Sequence, residues 1–262
     1  MIKKILILLF LLLITAYLIV AVTTFNTKPA DQVCKGMELI IKDSIDHGFI
    51  SQKGILRLLN GKTRSEEPLF RSSLLLNGKK LSPVGKKMGD INTRLLEEEL
   101  SQHPLIENVE CYRTPGCKIG IEVTQRLPIL RVMANNGDNY YIDNKGKIMP
   151  IPNSSAHVAV VTGYVDRDFA VKELYTLGVF LQAHPLWDAQ IEQINVTQAK
   201  ELELVPRVGE HIIFLGKPGN YEEKFEKLKT FYEKGLNQVG WNKYSRISLE
   251  FNNQIICTKK EK

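Results

Sequence analysis

Residues 123–132 read VTQRLPILRV, and residues 139–150, a few positions on, read NYYIDNKGKIMP. The first run has the β-branched and aliphatic composition of a strand. Pro128 nevertheless sits inside it, where a proline cannot donate to a sheet ladder. A strand interrupted by Arg126, Leu127 and Pro128 and then resumed at once reads as a joint between two modules. One module ends with the strand that closes at Arg126, and the next begins with the strand that opens at Leu127. Because Pro128 pins φ and removes one donor, the expectation is a joint that fixes the relative orientation of its modules.

Working outward, the 262 residues are 44% hydrophobic, enough to bury a sizeable core and more than one. The net charge of +6 is spread over scattered lysines, with no basic run interleaved with aromatics. That pattern does not argue for nucleic acid, and a mildly basic surface suits a lipid headgroup layer equally well. Residues 5–22, ILILLFLLLITAYLIVAV, contain no charge. At 1.5 Å per residue this run reaches about 27 Å, near the hydrocarbon thickness of a bilayer. Lys3 and Lys4 precede it and no basic residue follows until Lys28, which predicts a cytoplasmic N-terminus and a retained anchor. The alternative is a cleaved secretory signal; both place everything from about residue 26 outside the cytoplasm. Residues 1–4 are then a cytoplasmic tail, 5–22 a transmembrane helix and 23–35 a tether.

The first module is expected over residues 36–126. MELIIKD (37–43) reads as a strand and SQKGILRLLN (51–60) as a short helix with Ser51 as N-cap and Ile55, Leu58 and Leu59 on one face. Residues 61–91 are polar and broken by glycine and proline, so only RSSLLL (71–76) suggests a strand there. NTRLLEEELSQHP predicts a helix with Asn92 as N-cap, an apolar stripe of Leu95, Leu96 and Leu100, and a stop at Pro104. Glu97, Glu98 and Glu99 fall on its solvated side, since consecutive helical residues point in different directions. Strands follow at 106–113 and 118–126 around a turn containing TPG. Cys111 and Cys117 flank that turn; a disulfide across it and a pair of free thiols are both open readings.

The second module is expected over residues 127–262. Strands at 127–134, 138–143 and 146–151 include a hairpin whose turn chemistry is DNKG (143–146). A helix over 168–183 carries Val171, Leu174, Leu177 and Leu181 and ends at His184 and Pro185. Strands at 189–197, 200–206 and 210–216 precede a helix over 221–238 that buries Phe225, Leu228, Phe231, Tyr232 and Leu236. RISLEF (246–251) and QIICTK (254–259) close the chain as two strands. The fold class is therefore α+β, with a mixed α/β second module built on an open sheet.

The sequence contains no G-x-S-x-G elbow, S-x-x-K, H-E-x-x-H or glycine-rich phosphate loop. His47, His103, His157, His184 and His211 are scattered, and His103 and His184 end helices, where the helix dipole explains an imidazole. Asp143 is the most conspicuous carboxylate, and Asp before Asn-Lys-Gly reads as a turn former. No catalytic residue, metal or cofactor is expected.

The run LEEELSQHPLIENVECYRTPGCKIGIEVTQRLPILRV resembles the close of a POTRA domain, a β-α-α-β-β unit. In order, the anchor, that module, the Arg126–Pro128 joint, the YYIDNKGKIMPIP hairpin and a C-terminal α/β module resemble the bacterial FtsQ/DivIB cell-division family. Gln125 stands where that family commonly has Glu, the stretch 61–91 is longer than a compact POTRA domain needs, and the cytoplasmic tail is four residues. The resemblance implies a non-enzymatic inner-membrane scaffold of the divisome that binds single-pass FtsB/FtsL-type partners. It further implies that a partner strand adds at the final strand of the sheet. By carry-over the contact residues would be Phe251, Gln254, Ile256 and Thr258, with Arg246 and Lys200 as a charged rim, and Lys259 and Lys260 as edge charges. A POTRA-bearing chaperone of envelope assembly and an anchored envelope hydrolase are the competing classes.

Overall fold

The computed structural model describes residues 2–25, 31–42, 50, 52–59, 81–152 and 154–260, with side chains at all of these except 2–9, 22–25, 57 and 58. The expected N-cap at Ser51 and the strand considered at 71–76 lie outside the described residues. The chain divides into two compact units at Thr124/Gln125, with Ile50 belonging to the second.

Helix α1 spans Ile2–Phe25. Its described side chains include a run of large apolar groups left exposed, from Phe10 to Val20. Among the described residues, no helix is long and apolar enough to cross a membrane.

The first unit contains β1 (Gly36–Lys42), α2 (Gln52–Leu59), α3 (Thr93–Ser101), β2 (Ile106–Arg113) and β3 (Lys118–Gln125). The sheet order is β1-β3-β2, with β1 parallel to the central β3. Ile119, Ile121 and Val123 of β3, Ile55 and Leu59 of α2, and Leu96 and Leu100 of α3 are all buried. Leu95 was expected in that stripe but is exposed, because only positions 96 and 100, four apart, stay on the buried face. Asn92 caps α3 as expected, its side chain accepting from the Leu95 amide at 3.2 Å. On the outer face the Tyr112 ring lies over Gly120, where a Cβ would come within 2.5 Å of it, and Tyr112 donates to Glu122 at 2.9 Å.

The segment expected to be a tether is partly built into this unit. Cys34 N donates to Lys86 O at 2.8 Å, Met88 N to Gln32 O at 2.8 Å, and Val33 bridges Lys87. Cys111 and Cys117, for which a bridge and free thiols were both open readings, are buried thiols here. Cys111 lies three residues before the turn residue Thr114, so about 10 Å of strand separates it from the turn. That exceeds the roughly 7 Å α-carbon separation that a disulfide tolerates. Burial, and then the nearby Glu97 carboxylate, pushes the Cys111 thiol up to about 12.

The second unit holds one nine-stranded sheet in the order β12-β11-β10-β9-β8-β7-β4-β5-β6. Its first strands are β4 (Pro128–Ala134), β5 (Asn139–Asp143), β6 (Ile148–Met149) and β7 (Ala159–Gly163). They continue with β8 (Ile191–Val196), β9 (Leu202–Pro206), β10 (Ile212–Gly216), β11 (Tyr244–Ser248) and β12 (Ile256–Lys259). Strand β7, which sequence patterning missed, runs parallel to both β4 and β8. A strand flanked on both sides in this way reads as a short apolar run without alternation.

Helices α4 (Arg167–Phe169), α5 (Tyr175–Ala183), α6 (Pro185–Gln190), α7 (Tyr221–Phe231) and α8 (Asn237–Val239) complete the unit, with π-turns at Ala170–Leu174 and Tyr232–Leu236. Pro185 does not merely end the preceding helix. It occupies the first turn of α6, where its missing N–H costs nothing. Leu130, Val132, Ile142, Ile194, Leu204, Ile213 and Ile247 form the sheet side of one core, against Leu174, Leu177, Trp187, Phe225, Leu228 and Leu236. Val171 and Phe231 of the expected stripes are only partly buried. At Gly178 of α5 a Cβ would sit 2.9 Å from Leu130 Cγ, so the glycine lets helix and sheet approach.

The two helix-end histidines differ from each other, and only His103 departs from the dipole reading. His184 Nδ1 lies 2.8 Å from Phe180 O, as a C-terminal imidazole should. His103 is 3% exposed, and its Nδ1 accepts from Leu105 N at 3.1 Å, which requires that nitrogen to be unprotonated. Burial lowers its pKa to about 4. The folded state thus binds fewer protons than the unfolded state, so the His103 contribution is complete above about pH 6.5 and is lost as pH falls toward 4. The loss is on the order of 3 kcal/mol. In an NMR titration the His103 Hε1 shift is expected to stay flat from pH 8 to 5; a midpoint near 6.5 would contradict this placement.

Candidate partner-binding edge

Strand β12 ends the nine-stranded sheet and pairs only on one side, antiparallel to β11, with Arg246 opposite Thr258, Ile247 opposite Cys257 and Ser248 opposite Ile256. Its outer side faces no strand among the described residues. The pairing register puts Cys257 on the core face, where it packs against the hydrophobic cluster, and Ile256 and Thr258 on the opposite face. Ile256 is 45% exposed, and Phe251, in the turn before β12, is 46% exposed.

The side chain of Arg246, next to Thr258, is tied down. Its Nη1 donates to Glu203 Oε1 at 2.8 Å, and its guanidinium lies 4.2 Å from the Phe214 ring centroid. Glu203 Oε2 accepts in turn from Asn195 Nδ2 at 3.0 Å, and Gln193 Nε2 donates to Thr162 Oγ1 at 2.9 Å. Polar side chains of β7, β8, β9 and β11 thus lie on the sheet face away from the helices, and the Asn195–Glu203–Arg246 chain leads toward β12. The signal for Glu203 was the alternation in KELELVP, which places it opposite the inward Leu202 and Leu204.

A groove of about 660 Å³ adjoins the start of β12, between α7 with its π-turn and the turn residues Asn252–Ile255. Lys227 on α7 holds that turn: its Nζ is bonded to Asn252 O and pairs with Glu223 at 3.0 Å. Glu223, Lys227, Thr230 and Lys234 recur at helical spacing, a signal visible in the sequence but unused because its partner loop is remote in the chain. Gln254 lines this groove.

The structure therefore brings together Arg246, Ile256 and Thr258, with Phe251 and Gln254 in the adjoining turn, and it separates Lys200 from them. Lys200 sits in the β8–β9 turn with φ 61°, its Nζ 2.5 Å from Asp166 Oδ2 and 2.9 Å from Tyr164 O. Strand β9 is three strand spacings, roughly 14 Å, from β12. The Lys200 hydrogen bond holds the Asp166 carboxyl below its usual range. Lys260 likewise has a partner in this chain: its Nζ is bonded to Glu210, which lowers that carboxyl.

At the joint, Arg126 Nη1 meets Asp143 Oδ2 at 2.8 Å, and Asp143 is 1% exposed. Asp143 Oδ1 accepts from Lys145 N at 2.9 Å and Lys147 N at 2.7 Å. The carboxylate therefore makes the turn and neutralises the arginine together, and Gly146, at φ 74°, closes the reversal. Pro128 is aligned with Asp143 at the β4 start, where the register shifts before Leu130. Gln125 accepts from Ile50 N at 3.0 Å through its side-chain oxygen.

A family model described as FtsQ/DivIB, C-terminal related, matches residues 127–258, just over half of the chain. A POTRA-like domain model matches residues 73–124. The cell division protein FtsQ of Myxococcus fulvus is 26% identical over 156 residues, covering 55% of this chain and 53% of that relative. The chain thus spans about half the length of the curated relative it matches.

Removing the Asp143 carboxylate takes from Arg126 its ion pair and from the Lys145 and Lys147 amides their side-chain acceptor. Asp143→Ala is expected to cost about 3–5 kcal/mol in denaturant unfolding, and Asp143→Asn less, because an amide oxygen still accepts from the turn. A loss under about 1 kcal/mol for Asp143→Ala would remove this pair from any structural role. The family match over the second unit, joined to a POTRA-like match over the first, means that this chain belongs to the FtsQ/DivIB family of cell-division proteins.

Proposed function

We propose that this protein is a membrane-anchored, non-enzymatic scaffold of the divisome. Its β12 edge takes up a strand from an FtsB/FtsL-type single-pass partner and so couples septal cell-wall synthesis to division. The observation that carries this reading is the β12 edge itself: a terminal strand paired on one side, with exposed Ile256 and Thr258 on the face it shares with Arg246. An incoming strand gains backbone hydrogen bonds there, and alternate side chains set its specificity. Phe251 and Gln254 extend the contact into the turn, and Arg246 offers a rim charge already oriented by Glu203. The proposed contact does not include Lys200, which pairs with Asp166 three strands away.

The anchor is residues 5–22, with the N-terminus in the cytoplasm and both units on the far side of the inner membrane. Support comes from the uncharged run, the flanking Lys3 and Lys4, the helical backbone of α1 and its exposed apolar side chains.

Photo-crosslinking probes placed singly at positions 250–258 in living cells test the edge. The expected result is capture of one small single-pass membrane protein, strongest at alternate positions along 256–258. Absence of any adduct, in cells whose septation still requires the protein, would move the partner site off β12.

A further inference from the structure

Two buried thiols of the first unit, Cys34 and Cys117, sit on segments joined by a backbone hydrogen bond although 82 residues intervene in the chain between them. Lys35 N donates to Cys117 O at 2.8 Å. This one bond joins the peptide that follows Cys34 to the peptide that follows Cys117. With ordinary backbone dimensions, the two α-carbons flanking such a bond stand about 5–6 Å apart. A disulfide spans about 4.4–6.8 Å between α-carbons.

Both residues are held in place by their backbones. Cys34 N donates to Lys86 O at 2.8 Å and Cys34 O accepts from Gly85 N at 3.0 Å. Cys117 N donates to Thr114 O at 3.2 Å, and its φ of 57° belongs to the hairpin turn. Cys117 Sγ donates to Gln32 Oε1, on the segment that carries Cys34, while Cys34 Sγ donates to Gly36 O at 3.3 Å. Cys34 is 1% exposed and Cys117 is 8% exposed.

We propose that Cys34 and Cys117 are a disulfide pair that locks the segment entering the POTRA-like unit onto its β2–β3 hairpin. The pairing itself stands on backbone geometry. Its formation in the cell rests on the reading above that both units lie outside the cytoplasm, where thiols meet disulfide oxidants. One thiolate attacks an external disulfide and releases one thiol. The second thiolate then attacks the mixed disulfide and releases the other. One S–S bond forms, two electrons reduce the oxidant, and the two protons leave on its two thiols. Because both sulfurs are buried in the folded unit, the exchange takes place during folding. The loop it closes is long, which favours the folded state by restricting the unfolded one.

The test uses the full chain, refolded in detergent into a mixture of reduced and oxidised glutathione. Remaining thiols are blocked in acid with a maleimide, and the digest is read by mass spectrometry. The expected product is one peptide pair joined through Cys34 and Cys117, with Cys111 and Cys257 carrying the label. The pair disappears in Cys34→Ser and persists in Cys111→Ser. Four labelled cysteines, or Cys117 joined to Cys111, overturns the pairing. Acid-trapped cells separate the two premises: a joined pair there supports both, whereas a pair that joins on refolding but is fully labelled in cells sustains the pairing and removes the export reading.

Discussion

Backbone N–H and C=O groups along an open sheet edge must find partners or water, and in the second unit this constraint falls unequally on the two ends. At one end β6 contributes only Ile148 and Met149, too short to template another strand. At the other, β12 runs from Ile256 to Lys259 with one side of its backbone unpaired by any strand among the described residues. Contacts on both faces of the β11–β12 pair support its register. The core under Ile247 and Cys257 fixes one face, while Arg246, clamped by Glu203 and stacked on Phe214, stiffens the other. Lys227 anchors the turn by which the chain enters β12. An edge prepared in this way loses little further conformational entropy when a strand docks, which is how preorganisation adds affinity.

The buried Arg126–Asp143 pair works on the same sheet from its other side. A lone carboxylate at 1% exposure would be costly, and here one oxygen meets the guanidinium while the other satisfies two turn amides. The pair thereby sets where β4 begins and how β5 turns into β6, three strands whose order follows from that turn. Pro128 fits because it stands at the first position of β4, where a missing donor is tolerated.

Much of this was readable from residue patterns, and the failures have physical causes. Helix α3 with its Asn92 cap, the β2–β3 hairpin and the long α7 region follow from local periodicity and capping, which depend on neighbours in sequence. Strand β7 escaped because a strand between two parallel neighbours loses the alternation that marks a half-buried one. The α6 turn escaped because His-Pro reads as a stop, although a proline can equally open a new helix. At the candidate site, the alternation of QIICTK marked β12 as a strand, but the company it keeps was not legible. Glu203 and Lys227 reach Arg246 and the β11–β12 turn across 43 and 25 residues, and Lys200 turned inward to Asp166 across 34. No local pattern carries such pairings. The cysteines make the same point: Cys111 and Cys117 are near in sequence and far along the strand, whereas Cys34 and Cys117 are the reverse.

Recognition through the β12 backbone is directly measurable by amide hydrogen exchange. Exchange would be followed at residues 254–260 of the full chain in detergent, with and without the extracytoplasmic segment of an FtsB/FtsL-type partner. Alternate β12 amides, those not already bonded to β11, are expected to slow by at least tenfold on binding, while the α7 amides stay unchanged. Slowing confined to α7 and the 252–255 turn, with β12 unaffected, would contradict recognition through the β12 backbone.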